Sequence, residues 1–298
     1  MPPTSPPWKR SLSGLLALTR YREFYLFVIV TTLLGARAAG APLDWRLPLI
    51  LVANWLAVGF AFMYNDLEDA PDDALSAAKV GRNPVSAGLV SPGLALRASL
   101  AVAALSALAY LPLGWLPFLL GALCLGLGWL YSWRRVRLKS IPLLDLVSHV
   151  LMLAGLQLAC AYFTYAAPLS LDWLAPFLLV VAVSAYGELF NELRDFEGDR
   201  QAGINHTAAL IGERAARRAM YACLVVAGLA LAALLLSARI PPWVLGVGGG
   251  AAALLLAGPA LRAWRGQSAE HTVGFQEPVL ALGGLMLTAW VIGSYFGL

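Results

Sequence analysis

Apolar runs follow one another along this chain, each close to the ~17–25 residues that a helix needs to cross a bilayer. Nine spans are predicted, at residues 24–41, 47–64, 93–112, 114–133, 141–165, 173–190, 216–237, 242–261 and 278–297. The boundary between the third and fourth rests only on Pro112, Gly114 and Pro117. The pattern predicts an all-α polytopic membrane protein. A single transmembrane domain covers residues 24–298, preceded by a cytoplasmic N-terminal segment at 1–23. That segment is Pro-rich and basic and has no apolar core of its own, so no cleavable signal peptide is expected.

Composition agrees. Of 298 residues 60% are hydrophobic and only 13% charged, with a mean hydropathy of +0.72. A soluble domain would carry about a quarter charged residues. The three cysteines, Cys124, Cys160 and Cys223, all fall inside apolar spans and read as small buried hydrophobes.

The charges are unevenly placed. With the N-terminus inside, 18 of the 21 Lys and Arg residues fall on the cytoplasmic side, and only Arg37, Arg46 and Arg239 fall opposite. This predicts a multi-pass protein of the cytoplasmic (inner) membrane with the N-terminus in the cytoplasm and Leu298 outside. The net charge of +4 records the same bias and is not read as nucleic-acid binding.

Two acidic stretches stand out against so apolar a background. "FMYNDLEDAPDD" (62–73) follows the second span and "FNELRDFEGDR" (190–200) follows the sixth. Both contain Asn-x-x-x-Asp-x-x-x-Asp: Asn65, Asp69 and Asp73 in one, Asn191, Asp195 and Asp199 in the other. The motifs lie 126 residues apart, on the same side of the membrane by the Lys/Arg count. The repeat suggests two four-helix halves plus one further helix around a central cavity. On a helix, residues four apart share a face. Each motif is therefore a polar stripe, with Asp66 beside the first. Stacked carboxylates repel unless a cation is held among them. Magnesium takes hard oxygen ligands and is commonly shared between one or two carboxylates and substrate phosphates. Ionisable residues at a membrane are functional candidates by default.

These residues resemble the UbiA-type intramembrane prenyltransferases. Asn65, Asp66, Asp69 and Asp73 match that family's first motif, Asn-Asp-x-x-Asp-x-x-x-Asp. Asp195 and Asp199 match its second, Asp-x-x-x-Asp. The resemblance covers most of the chain. It implies two Mg2+ ions, held by Asn65, Asp66, Asp69, Asp73, Asp195 and Asp199, that bridge the diphosphate of a prenyl diphosphate donor. The loop "KVGRNPVSAG" (79–88) is similar to a basic loop that closes over the site, with Arg82 and Lys79 as diphosphate contacts. The order Arg-Asn-Pro departs from the usual Asn-Arg-Pro or Arg-Pro. In "LYSWRRVRLKS" (130–140), Tyr131 would face the allylic cation, as an aromatic ring suits, and Arg137 and Lys139 would bind diphosphate. Arg22 stands where members carry a basic residue before the first helix.

Other polar residues are less specific. Glu188 lies one turn before Asn191 and is expected to line the site with it. Glu192 and Glu197 fall off the stripe and are expected to be solvated, and His206 to be merely polar. Asp145, His149, Gln157 and Asn54 would orient an acceptor or bond between helices.

The activity implied is Mg2+-dependent transfer of an isoprenoid chain to a lipophilic, typically aromatic, acceptor dissolved with the donor among membrane lipids. Ionisation gives an allylic cation that the acceptor attacks, with Asp69, Asp195 and Tyr131 at the chemistry. A terpene cyclase with no acceptor, or phosphoribosyl transfer to a polyprenyl phosphate, would use the same diphosphate site. A cation-binding transporter would instead place acidic residues near the bilayer midplane.

Overall fold

A computed structural model describes residues 7–75, 80–165, 171–201, 205–237 and 241–257, with positions 282, 285–286, 288–290, 292–293 and 296–297 near the C-terminus. The described residues form α1 (Pro7–Leu18), α2 (Tyr21–Ala38), α3 (Arg46–Asp73), α4 (Pro92–Tyr110), α5 (Trp115–Ser132), α6 (Leu144–Val150), α7 (Leu156–Phe163), α8 (Leu174–Gln201), α9 (Thr207–Ile211), α10 (Glu213–Leu236) and α11 (Pro242–Ala257). No strand occurs among them.

Six stretches are long and apolar enough to cross a membrane: Arg46–Asp73, Pro92–Leu113, Trp115–Ser132, Leu144–Phe163, Leu174–Glu197 and Glu213–Leu236. They coincide with the second to seventh predicted spans. Helix α2 occupies the first and α11 the eighth. Half of the ninth lies outside the described residues. Burial separates centre from rim. In the spans of α3 and of α6–α7, 61% of the apolar window is buried, against 22–33% elsewhere. The rim helices turn Leu96, Leu100, Leu105 and Leu108 of α4, and Leu224, Val225 and Leu229 of α10, outward. Such a surface suits lipid and not water.

The central helices are joined by polar side chains. Asn54 on α3 donates to Thr32 Oγ1 at 2.8 Å and to the Gln157 carbonyl at 3.0 Å, and accepts from the Tyr110 hydroxyl at 2.6 Å. With no water in the hydrocarbon, such groups must find partners inside the protein. Asn54 and Gln157 thus bond between helices. The fifth span is not one uniform helix. Between α6 and α7 it widens into a π-turn, Leu151–Gly155. The Met152 carbonyl is taken up by Cys124 Sγ at 3.2 Å and by Gln157 Nε2 at 3.2 Å.

Helices α3 and α8 position the acidic motifs. Each is 28 residues long and runs past its apolar part, α3 to Asp73 and α8 to Gln201. Both motifs are therefore helical. The N-terminal segment also holds a helix, α1, whose Leu15 and Leu18 pack against Met63, Val90 and Ala95. This anchors it over the 80–90 loop.

Candidate active site

Residues at the end of α5 join the two acidic helices. Tyr131 reaches α8, its hydroxyl donating to Glu188 Oε1 at 3.0 Å. The next residue, Ser132, reaches α3, its hydroxyl donating to Asn65 Oδ1 at 3.0 Å. The basic loop that follows turns back onto the first motif. Lys139 Nζ donates to Asn65 Oδ1 at 2.8 Å and to both Asp69 oxygens, at 2.6 and 2.5 Å. Arg137 donates to Asp69 Oδ1 at 3.3 Å and to Asp72 Oδ2 at 3.1 Å. Burial holds the Lys139 pKa below the ordinary lysine value, against the opposing pull of Asp69.

Arg20, rather than Arg22, meets the motif. Its guanidinium donates to Asp66 Oδ1 at 3.2 Å and to both Glu23 oxygens, and lies 5.0 Å from the Phe62 ring centroid. Arg22 is exposed and, among the described residues, donates to the neighbouring Tyr21 hydroxyl at 3.2 Å. Arg82 likewise makes no ion pair with a carboxylate of the first motif among the described residues. It is 66% exposed and pairs with Glu23 at 3.2 Å. Lys79 lies outside the described residues.

The residue that ties the 80–90 loop to the motif is Asn83. It donates to the Asp66 carbonyl at 2.7 Å and to Asp73 Oδ2 at 2.9 Å, and its Oδ1 accepts from Val85 N at 3.0 Å. Ser86 adds a bond to the Ala70 carbonyl at 2.8 Å. The departure Arg-Asn-Pro was the available signal, since it puts an amide where Asp73 can use it. Asn83→Ala is expected to release the loop and destabilise the fold by about 1–3 kcal/mol. Thermal unfolding in detergent, with limited proteolysis inside residues 80–91, checks this.

On α8 the face turned into the protein carries Glu188 and Glu192. Glu188 also faces His149, with Oε2 3.1 Å from Nδ1. Glu192 is not solvated as its sequence position suggested. It is 7% exposed, because it shares the inner face with Glu188 four residues earlier and accepts from Ala208 N at 2.7 Å. His206 is likewise buried: its Nδ1 accepts from Ala209 N at 3.1 Å at the start of α9. Asp145 of α6 holds α9 too, accepting from Thr207 N at 2.6 Å and from the Thr207 hydroxyl. Glu197 is exposed as expected. Asn191 is exposed, and Asp195 is 52% exposed beside Arg194 at 2.8 Å. Asp199 lies in the last turns of α8, and its side chain is outside the described residues.

Three non-glycine residues among those described adopt left-handed backbone: Arg20 (φ 49°), Arg137 (φ 49°) and Leu143 (φ 69°). All three border this site. The two arginines aim at motif carboxylates, and the Leu143 N–H donates to Thr207 Oγ1 at 2.8 Å. Such conformations cost energy and persist where the surroundings impose them, often at functional sites.

The donor set suits a hard divalent cation. Asn65 and Asp69 already place three oxygens around one cationic centre, the Lys139 ammonium. Asp66 Oδ2 is buried with no hydrogen-bond partner. Among the described residues no three His, Cys, Asp or Glu side chains gather tightly enough to hold a metal alone. Magnesium needs only one or two carboxylates when phosphate oxygens and water complete its shell.

Comparison with known proteins places the chain. The profile of the UbiA prenyltransferase family matches residues 26–276. A digeranylgeranylglyceryl phosphate synthase of Sulfolobus acidocaldarius is 26% identical over 169 residues, which is 56% of this chain and 58% of that protein. The chain thus matches little more than half of that relative's length. A lycopene elongase/hydratase of Haloarcula japonica is 31% identical over 226 residues, 70% of each chain. In fold, the chain superposes on a UbiA homologue from Archaeoglobus fulgidus bound to DMAPP and Mg2+, with a TM-score of 0.72 and 21% identity over 96% of this chain and 100% of that one.

Proposed function

The chain belongs to the UbiA prenyltransferase family, and on that premise we propose that it transfers an isoprenoid chain from an allylic diphosphate to a lipophilic acceptor in the membrane. The observation that carries this reading is the cluster at the end of α3. Asn65 and Asp69 converge on one cation there, beside the unpartnered oxygen of Asp66. Asn65, Asp66, Asp69 and Asp73 would hold Mg2+ on one side of the diphosphate, with Asp195 and Asp199 on the other. When bound, the metal neutralises charge that grows on the diphosphate as the allylic C–O bond breaks. Lys139, Arg137 and Arg20 supply further positive charge at the same place. The Tyr131 ring, held by Glu188, offers a π-face to the allylic cation. The Lys/Arg bias supports a cytoplasmic site in an inner membrane, with the N-terminus on the same side.

The relatives suggest which acceptors to try first. One is named for glyceryl phosphate chemistry and the other for lycopene. Purified protein in detergent would receive DMAPP, geranyl diphosphate or geranylgeranyl diphosphate. The acceptors would be lycopene, geranylgeranylglyceryl phosphate or an aromatic quinone-precursor acid. Pyrophosphate release and product mass are read together. The expected result is acceptor-dependent release and a product mass equal to acceptor plus prenyl chain. Removing Mg2+ with EDTA should lower the rate more than roughly 100-fold, reversibly. Release without acceptor and with a cyclic product would make the enzyme a cyclase. No release with any donor would overturn the reading.

A further inference from the structure

Glu188 joins the Tyr131 ring to a second side chain, His149, that cleavage of the diphosphate does not use. Its Oε1 accepts the Tyr131 hydroxyl at 3.0 Å, and its Oε2 lies 3.1 Å from His149 Nδ1. In a neutral imidazole, a carboxylate facing Nδ1 favours the tautomer with the proton there and the lone pair on Nε2. Nε2 makes no hydrogen bond among the described residues and is not sealed in the core. An imidazole oriented by a carboxylate, with its second nitrogen available, is the arrangement of a general base.

Its location fits that task. The His149 ring lies 6.2 Å from the Tyr131 ring, centroid to centroid. Tyr131 adjoins Ser132, which bonds Asn65 beside Lys139 and Asp69. The imidazole therefore packs beside the ring proposed to face the allylic cation. It sits within the span that begins at Leu144, two residues before the π-turn Leu151–Gly155, and π-turns are frequent at functional sites. Two carboxylates of the first motif's helix are committed: Asp69 is paired with Lys139 and Arg137, and Asp72 with Arg134 and Arg137. Carboxylates matched to cations are weak bases. His206 uses Nδ1 to cap α9 and is 4% exposed.

We propose that His149, oriented by Glu188, is the general base that removes the acceptor's proton. The inference rests on the prenyl-transfer reading. The donor's C1–O bond breaks, its electron pair leaving with the diphosphate. A bond then forms from C1 to the acceptor, using an acceptor π-bond or oxygen lone pair. The surplus proton, from a carbon beside the new cation or from the attacking hydroxyl, passes to His149 Nε2. Its bonding pair stays on the product. Glu188 is a positioning residue, stabilising the imidazolium that forms.

The test compares wild type with His149→Ala, His149→Gln and Glu188→Gln in detergent, using whichever of lycopene or geranylgeranylglyceryl phosphate wild type prenylates. Donor binding is measured separately by Mg2+-dependent thermal stabilisation with geranylgeranyl diphosphate. His149→Ala should keep donor binding within about threefold and lose roughly 10²–10⁴-fold in transfer. Added imidazole should restore at least tenfold of that loss, which a merely structural histidine would not show. Glu188→Gln should lose less, about tenfold. Parallel loss of donor binding, near-wild-type transfer without His149, or no rescue by imidazole overturns the proposal. Wild type that prenylates but is indifferent to His149 sinks this inference alone. Wild type that releases no pyrophosphate with any of the donors and acceptors named above removes the functional reading and the inference with it.

Discussion

Asp69→Ala should reduce prenyl transfer at least roughly 10³-fold, because one substitution removes both oxygens that organise the cationic centre of the site. Asp69 touches Lys139 at 2.6 and 2.5 Å and Arg137 at 3.3 Å. Removing it also strands Lys139, whose ammonium is already disfavoured by burial. A loss of activity in Asp69→Ala alone would therefore mix chemistry with instability. Two companions separate them. Asp69→Asn keeps the shape and some hydrogen bonding while removing the negative charge that this residue offers a metal. Asp69→Ala/Lys139→Met removes the carboxylate and its stranded partner together. Both should unfold near the wild-type temperature in detergent and both should be inactive at saturating Mg2+. Asp195→Ala should be inactive as well, with a smaller effect on stability, since Asp195 is exposed. Full turnover in Asp69→Asn and Asp195→Ala would remove the metal–diphosphate assignment.

The acidic stripes were legible because their four-residue spacing means one thing on a helix, and α3 and α8 do continue through them. The orienting residues were not, for identifiable reasons. Arg20 and Arg22 are both plausible from sequence. A left-handed residue before α2 decides between them, and no pattern in "TRYREF" announces it. Glu192 looked like a solvated neighbour of the motif. Its inward direction follows from Glu188 one turn earlier, once that residue is known to be buried. Asn83 carries its weight through two bonds to α3 across a loop, a long-range relation invisible in a single sequence. The fifth span reads as a plain apolar run, because the Met152 carbonyl of the π-turn is taken up by Cys124 of α5 as well as by Gln157 of the same span, a relation between helices that periodicity does not show. The nine-span count, Lys79 and the Asp199 side chain remain expectations, since they rest wholly or partly on residues outside those described.

The second large effect is expected far from the chemistry, at Gly35. A Cβ there would sit 2.4 Å from the Leu158 carbonyl oxygen and 3.1 Å from Ala161 Cβ. The first contact is with backbone, so no side chain can swing aside. In the membrane, close approach through small residues is a main source of helix association. Gly35→Leu must push α2 from α7. That movement also strains the Asn54 bonds to Thr32, one turn before Gly35, and to the Gln157 carbonyl beside Leu158. Because α7 continues into α6, the disturbance reaches Asp145 and His149. Because α2 begins directly after Arg20, it reaches the Asp66 ion pair. Gly35→Leu should therefore run as aggregate in size-exclusion chromatography. Gly35→Ala should stay folded but lose about 1–3 kcal/mol, read as a lower unfolding midpoint. Gly228→Ala on α10, where a Cβ meets nothing within 4 Å, is the control and should unfold no earlier than wild type. If Gly35→Leu instead stays monodisperse and active, then α2–α7 contact does not position the site, and Arg20 must be held at Asp66 by its own bonds alone.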